Sequence, residues 1–233
     1  MKKSNVPPER EIVPRLRNSQ IVRDALRRLT GQGKREVESA EMLAVNGEAT
    51  LDQRLDAITI VTALKRGSAD VLLSLLSSDD QTIVIEALKS IRNFRTEWAR
   101  PILVNAVRSC KEPSKRAVFA WALAAYRKDD DVERALLEVA VRDDDSEVRN
   151  HAIESLGEFR SDGVLEALLK ILESGPPAER FWALYSLGTL ADARAVDMVK
   201  RSVQDQTPVP GFGTIAEEAR WALEQMRNPK SGR

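Results

Sequence analysis

The sequence predicts an all-α protein, a right-handed α-solenoid of about five two-helix repeats behind a divergent N-terminal helical cap. Three observations carry this. Apolar residues recur with the period of a helix, small and apolar positions return about every 31 residues, and no segment alternates with period two over a useful length. Composition agrees. Of 233 residues, 42% are hydrophobic, 31% charged and only 5% aromatic, the balance of a globular chain that favours helix over strand. No apolar run reaches the roughly 18 residues of a membrane span. The basic opening MKKSNVPPEREIVPRLRN has no apolar stretch behind it and so does not read as a signal peptide. A single cysteine, Cys110, excludes an internal disulfide and suits a reducing, cytoplasmic setting.

Residues 1–50 stand outside the repeat register. They read as a basic segment and a cap, with one helix over 18–30, ended by Gly31, and a second over 36–45 before Asn46-Gly47. A stacked array needs such a cap over its open end. From residue 51 the register is regular. The small position runs Ala57, Ala87, Phe119, Ala152, Ala183 and Ala222, with spacings of 30, 32, 33, 31 and 39 residues. Four residues on come Val61, Ile91, Leu123, Leu156, Leu187 and Met226. Three residues before the small position stand Arg54, Val84, Arg116, Arg149, Arg180 and Ala219. The array over 51–228 thus divides into 51–80, 81–112, 113–144, 145–174, 175–206 and a terminal helix at 214–227, with a tail at 229–233.

The unit at 145–174 shows the anatomy best. Val148, Ala152, Ile153, Leu156 and Phe159 form one stripe of a first helix over 147–159, which Asp145 or Ser146 caps by accepting from free N–H groups. Ser161-Asp162-Gly163 turns the chain into a second helix over 164–173, and Ser174-Gly175-Pro176-Pro177 ends it before the next unit starts at 178. The stretch DDDSEVRNHAIESLGEFRSDGVLEALLKILE, and after it AERFWALYSLGTLADARAVDMVKRSV, is similar to the short HEAT-like repeats of the phycobilisome lyase type. The likeness extends over about three quarters of the chain. It implies a helical repeat scaffold, and among the functions it implies is a bilin lyase-like phycobilisome factor.

The candidate chemistry resolves into structure. His151 is the only histidine, which excludes two-histidine metal sites and dyads, and it reads as a surface residue. The acid runs Asp79-Asp80, Asp129 to Asp131 and Asp143 to Asp145 fall at turns between helices, where Asp caps and compensates the helix dipole. Arg116, Arg149 and Arg180 share one repeat position and are placed to form a ladder with acids of neighbouring units. Cys110 lacks a nearby histidine and reads as a packing residue. There is no phosphate-binding loop, nucleophile elbow or dinucleotide fingerprint, so no catalytic residue, metal or cofactor is expected.

Recognition of another protein is the expected function, as adaptor, inhibitor or immunity factor, or assembly factor. Exposed positions of the second helices are expected to line the concave surface. Arg134, Glu138, Glu166, Lys170, Asp197 and Arg201 are mixed in sign, which suits a protein epitope better than a phosphate track. Trp121 and Trp182 belong to clustered aromatics, some of which are expected to act as exposed anchors. The connection over 206–213 carries Val209 and Phe212, which either present apolar contacts or, in the case of Phe212, fold back on the last helices. DNA is the alternative partner. Residues 1–35 hold ten Lys/Arg against three acids, a charge of +7 that leaves −7 for the rest. Arg23, Arg27, Arg28, Lys34 and Arg35 would meet the phosphates, unless the segment rests on the acidic body of its own chain.

Overall fold

A computed structural model describes residues 34–63 and 69–228, which form two compact units divided between Trp98 and Ala99. Among the described residues no helix is long and apolar enough to cross a membrane.

The N-terminal unit contains α1 (Lys34–Val45), α2 (Leu51–Ala63), α3 (Ala69–Leu76) and α4 (Gln81–Phe94). The second cap helix therefore starts two residues before the 36 read from sequence, while the proposed helix over 18–30 lies outside the described residues. Helix α2 packs on α1 and α4, α3 packs on α4 and α1, and the apolar stripes of α2, α3 and α4 close a core of Ile58, Val61, Leu72, Ile83, Leu88 and Ile91. Each such side chain contributes about 1.5–3 kcal/mol by leaving water. Asp80 caps α4 by accepting from Thr82 N–H. Arg54 donates to the carbonyl of Ala44, at the end of α1.

The C-terminal unit runs α5 (Arg100–Ser109), α6 (Pro113–Leu123), α7 (Asp130–Arg142), α8 (Ser146–Leu156), α9 (Asp162–Ser174), α10 (Pro177–Leu190), α11 (Val196–Ser202), β1 (Pro208–Val209), β2 (Gly213–Thr214) and α12 (Ile215–Arg227). The first helices of successive repeats, α6, α8, α10 and α12, pack on one another in sequence, and α7, α9 and α11 fill in beside them. Caps fix the helix starts. Asp129 begins α7, Asp145 begins α8, Ser161 begins α9, and Thr214 with Glu217 forms a capping box on α12.

Small residues let the first helices approach until their backbones nearly touch. A Cβ placed on Gly157 would stand 3.0 Å from Ser186 Cα, and one on Gly188 would stand 2.9 Å from Ala222 Cα. This proximity corrects the register of the last helix. Gly157 lies five residues after Ala152 and meets Ser186, three after Ala183. By the same rule Gly188 meets Ala222, so the small position on α12 is Ala219 and not Ala222. The spacing from Ala183 is 36 residues, and the hairpin of β1 and β2 absorbs the excess over a standard unit.

The arginine ladder forms, with more partners than turn acids alone. Arg116 donates from Nη2 to Asp143 at 2.8 Å and from Nη1 to the carbonyl of Cys110. Arg149 reaches Glu179 at 2.8 Å and the carbonyls of Asp143 and Asp144. Arg180 bonds Asp205 at 2.7 Å. Burial pushes the Asp143 carboxyl up, but the Arg116 guanidinium, the Asp145 N–H and the charge of Arg149 outweigh it and hold the group below the usual carboxylate range. Hydroxyls add a second set of rungs: Ser155 donates to Ala120 O at 3.0 Å and Ser186 to Ile153 O at 2.7 Å.

Two substitutions test this packing. Gly188→Ala is expected to cost about 1–3 kcal/mol in urea unfolding, because the added methyl meets backbone that cannot retreat. Gly163→Ala, in a helix where the added methyl meets only Ser161 Oγ at 3.9 Å, is expected to be neutral or to gain about 0.5 kcal/mol. Separately, Arg149→Ala strands the largely buried Glu179 and is expected to lose about 2–4 kcal/mol. Removing both partners as Arg149→Met with Glu179→Leu restores most of that loss by the same measurement.

Candidate partner-binding face

Each first helix of the C-terminal unit carries two positions that the core does not use, three residues apart and so on one face. One position stands two residues after the small residue and holds Trp121, Glu154, Tyr185 and Trp221; the other stands one residue before it and holds Val118, His151, Trp182 and Glu218. All eight are half-buried. They form a stripe across α6, α8, α10 and α12, because consecutive first helices are in contact.

The stripe is most aromatic at its C-terminal end. Tyr185 and Trp221 stack with ring centroids 5.1 Å apart and planes 4° from parallel. Trp182 meets Tyr185 edge-on at 5.7 Å and Phe212 at 5.3 Å. Phe181, buried beneath, holds Phe212 at 5.4 Å. On α8 the stripe becomes polar, where His151 Nδ1 lies 3.2 Å from Glu154 Oε2.

The hairpin sets Phe212 in place. Val209 pairs with Gly213 and Pro208 with Thr214, and Phe212 N–H closes a turn on the Val209 carbonyl at 3.0 Å. Pro210 and Gly211, the latter at φ 86°, occupy the turn positions where a fixed negative φ and then a positive φ are required. Asp205 anchors the base, accepting from Thr207 N–H through its carboxylate and from Ala216 N–H through its carbonyl.

The residues singled out from sequence separate into three groups. Trp121 and Trp182 lie on this stripe. Phe212 combines both expected behaviours: it is 57% exposed, yet its ring rests on Phe181 and Trp182. Val209 is a correction. It is 3% exposed and serves as the hairpin's anchor, in the strand paired with Gly213, while Phe212 at the far end of the turn is the exposed one. The charged six are all exposed on second helices, away from the stripe. Arg134 pairs with Asp131, Glu138 with Arg108 at 3.2 Å and Asp197 with Lys200 at 3.5 Å, while Glu166, Lys170 and Arg201 are also exposed. Arg23, Arg27 and Arg28 lie outside the described residues, and so do the side chains of Lys34 and Arg35, whose backbone opens α1.

His151, Glu154, Tyr185, Trp221 and Glu218 are members of the stripe that the sequence reading did not assign to it. For His151, Glu154 and Tyr185 the signal was present in the repeat register, at the same two offsets from the small residue, whereas for Glu218 and Trp221 it emerges only once the small position on α12 is Ala219. Glu218 differs from the others. Burial raises its pKa to about 7, and its Oε1 atom is buried without a hydrogen-bond partner among the described residues.

That shift has a sign for stability. A carboxyl that holds its proton more tightly when folded favours the folded state as pH falls from above 7 toward the unfolded value near 4.5. Asp143 and Asp205 act oppositely, since their lowered values withdraw stability only below the usual 3.8. Stability is therefore expected to peak near pH 5. Glu218→Gln is expected to flatten the alkaline side, gaining about 1–2 kcal/mol at pH 8 after discounting for solvent screening and only a small part of that at pH 5, as read from chemical unfolding.

Residues 101–188 match the family described as HEAT repeats. The match is to HEAT repeats as such and does not single out the phycobilisome lyase type. No curated protein matches the sequence. Among solved structures, an engineered protein is 19% identical, with 90% of this chain and 98% of that chain covered and a TM-score of 0.46. An archaeal HEAT-like repeats protein from Thermococcus onnurineus NA1 is 18% identical, with 96% and 99% covered and a TM-score of 0.45. A designed armadillo repeat protein in complex with the peptide (KR)4 is 15% identical, with 89% and 100% covered and a TM-score of 0.46.

Proposed function

We propose that the chain, whose residues 101–188 match HEAT repeats, is a non-enzymatic scaffold that recognises another protein through the first-helix stripe of its C-terminal unit together with the hairpin tip at Phe212. The observation that carries this reading is the chain of rings Phe212, Trp182, Tyr185 and Trp221, partly exposed and held in fixed mutual geometry. Aromatic side chains offer large contact area at little cost in conformational freedom, which is why they dominate the energetics of interfaces. Here the cost is lower still, because the hairpin turn and the ring contacts already fix their positions. Adaptor, inhibitor and assembly factor are all roles that such a face serves. The mixed charges of the second helices, Glu138, Glu166, Lys170 and Arg201 among them, would then supply a solvated outer surface or a secondary rim.

Affinity capture from the native host, with the full chain as bait, is expected to return one stoichiometric protein. Trp182→Ala and Phe212→Ala are each expected to weaken that complex at least about tenfold. Phe212→Ala is expected to cost under about 1.5 kcal/mol of folding stability, since most of the ring faces solvent. Retention of the partner by both variants, with loss on reversing Glu138 and Lys170, would transfer the interface to the second helices and refute the stripe.

A further inference from the structure

Glu218 occupies, on α12, the register position that Trp182 holds on α10 and His151 holds on α8. Its buried Oε1 has no partner among the described residues. Glu179, also buried, shows what the fold does when it matches such a charge, since Arg149 lies 2.8 Å away. Arg180, the next arginine in that ladder, is bonded to Asp205 instead. A carboxylate left unmatched in partly apolar surroundings works against folding, and an apolar residue there would serve packing better.

The surroundings supply a reason for it. Trp221 lies three residues further along α12 and so shares a face with Glu218. It stacks on Tyr185, and Trp182, three residues before Tyr185, carries Phe212 against it. Four rings and one unpaired carboxylate thus belong to one surface patch. The faces of aromatic rings carry negative potential and attract cations, Trp most strongly, and a carboxylate supplies the counter-charge. Glu154, beside Tyr185 in the stripe, adds a second carboxylate on the α8 side. Arg220 is the nearest cation in sequence, but two residues along a helix turn it about 200° away from Glu218, so it does not compete for this face.

We propose that the patch formed by Trp182, Tyr185, Trp221, Phe212 and Glu218 receives a cationic side chain, arginine or lysine, from the partner protein. The guanidinium or ammonium group stacks on the rings and takes Glu218 as its hydrogen-bond acceptor. This rests on the protein-binding reading given above and specifies what the partner must bring to the face.

The test uses the full chain labelled with nitrogen-15 and the indole N–H signals of its four tryptophans, Trp98, Trp121, Trp182 and Trp221. Titration with N-acetyl-arginine amide is expected to shift the Trp182 and Trp221 signals saturably and to leave Trp98 unmoved. Glu218→Gln, which the pH argument expects to fold well, should weaken that binding about tenfold. Glu154→Gln should weaken it less. Equal shifts with the neutral N-acetyl-glutamine amide would overturn the proposal, as would an unchanged affinity in Glu218→Gln or no shift at all. If partner capture still depends on Trp182 in those cases, the protein-binding face stands and only its cationic ligand is wrong.

Discussion

The C-terminal unit depends on how closely its first helices pass one another. Gly157 and Gly188 remove the Cβ at the two points of nearest approach, so backbone of one repeat lies against backbone of the next. At that separation a serine hydroxyl spans the gap, and Ser155 and Ser186 each tie a helix to a carbonyl of its predecessor. Close contact at the small residues also leaves no room for large side chains between the helices. Those at the flanking positions must lie across the contact, half in water, and this gives the stripe its continuity from Trp121 to Trp221. The stripe is in that sense a by-product of tight packing.

Arginine adds direction to this stacking. Arg116 and Arg149 sit in the first turn of their helices and reach back to carbonyls just past the preceding helix and forward to a carboxylate 27 or 30 residues on. One side chain thus ties the end of the preceding helix to that distant carboxylate, with both ion-pair partners largely sheltered. Such pairs contribute less as attraction than as selection, because any slip of one repeat against the next would strand a buried charge. Arg54 in the N-terminal unit makes the backward bond, to Ala44 O, and among the described residues has no forward carboxylate.

Repeat length, helix order, caps and the arginine ladder were legible in the sequence because each is a local pattern or a recurrence at fixed spacing. Asp145 capping α8 and Arg116 meeting Asp143 needed only the periodicity. What escaped was set by three-dimensional packing. Ala222 and Ala219 are both small, both fully buried and one turn apart, so composition cannot choose between them; the position of Gly188 does. The same ambiguity hid Glu218 and Trp221 from the stripe. Val209 and Phe212 look alike in a Pro/Gly-rich loop, and only the hairpin register sends one inward and the other out. The recognition surface was expected on second helices, yet the aromatic stripe lies on the first, where the tightest packing places large side chains at the rim.

The 36-residue step from Ala183 to Ala219 has a consequence for how such a molecule is lengthened or shortened. The segment from Asp145 to Pro176 brings its own cap, arginine, serine and glycine, each at the offset its neighbours expect. It carries most of what a unit needs, but a second copy would place Val148 where the array has Glu179, four residues before the small position, and would leave the first copy's Arg149 without its carboxylate. The segment that follows is not portable. Its hairpin consumes the extra residues, diverts Arg180 to Asp205 and replaces the next cap with a capping box. Duplication within the array would therefore need a new carboxylate at that one position, whereas at the hairpin it would also disturb the turn that holds Phe212.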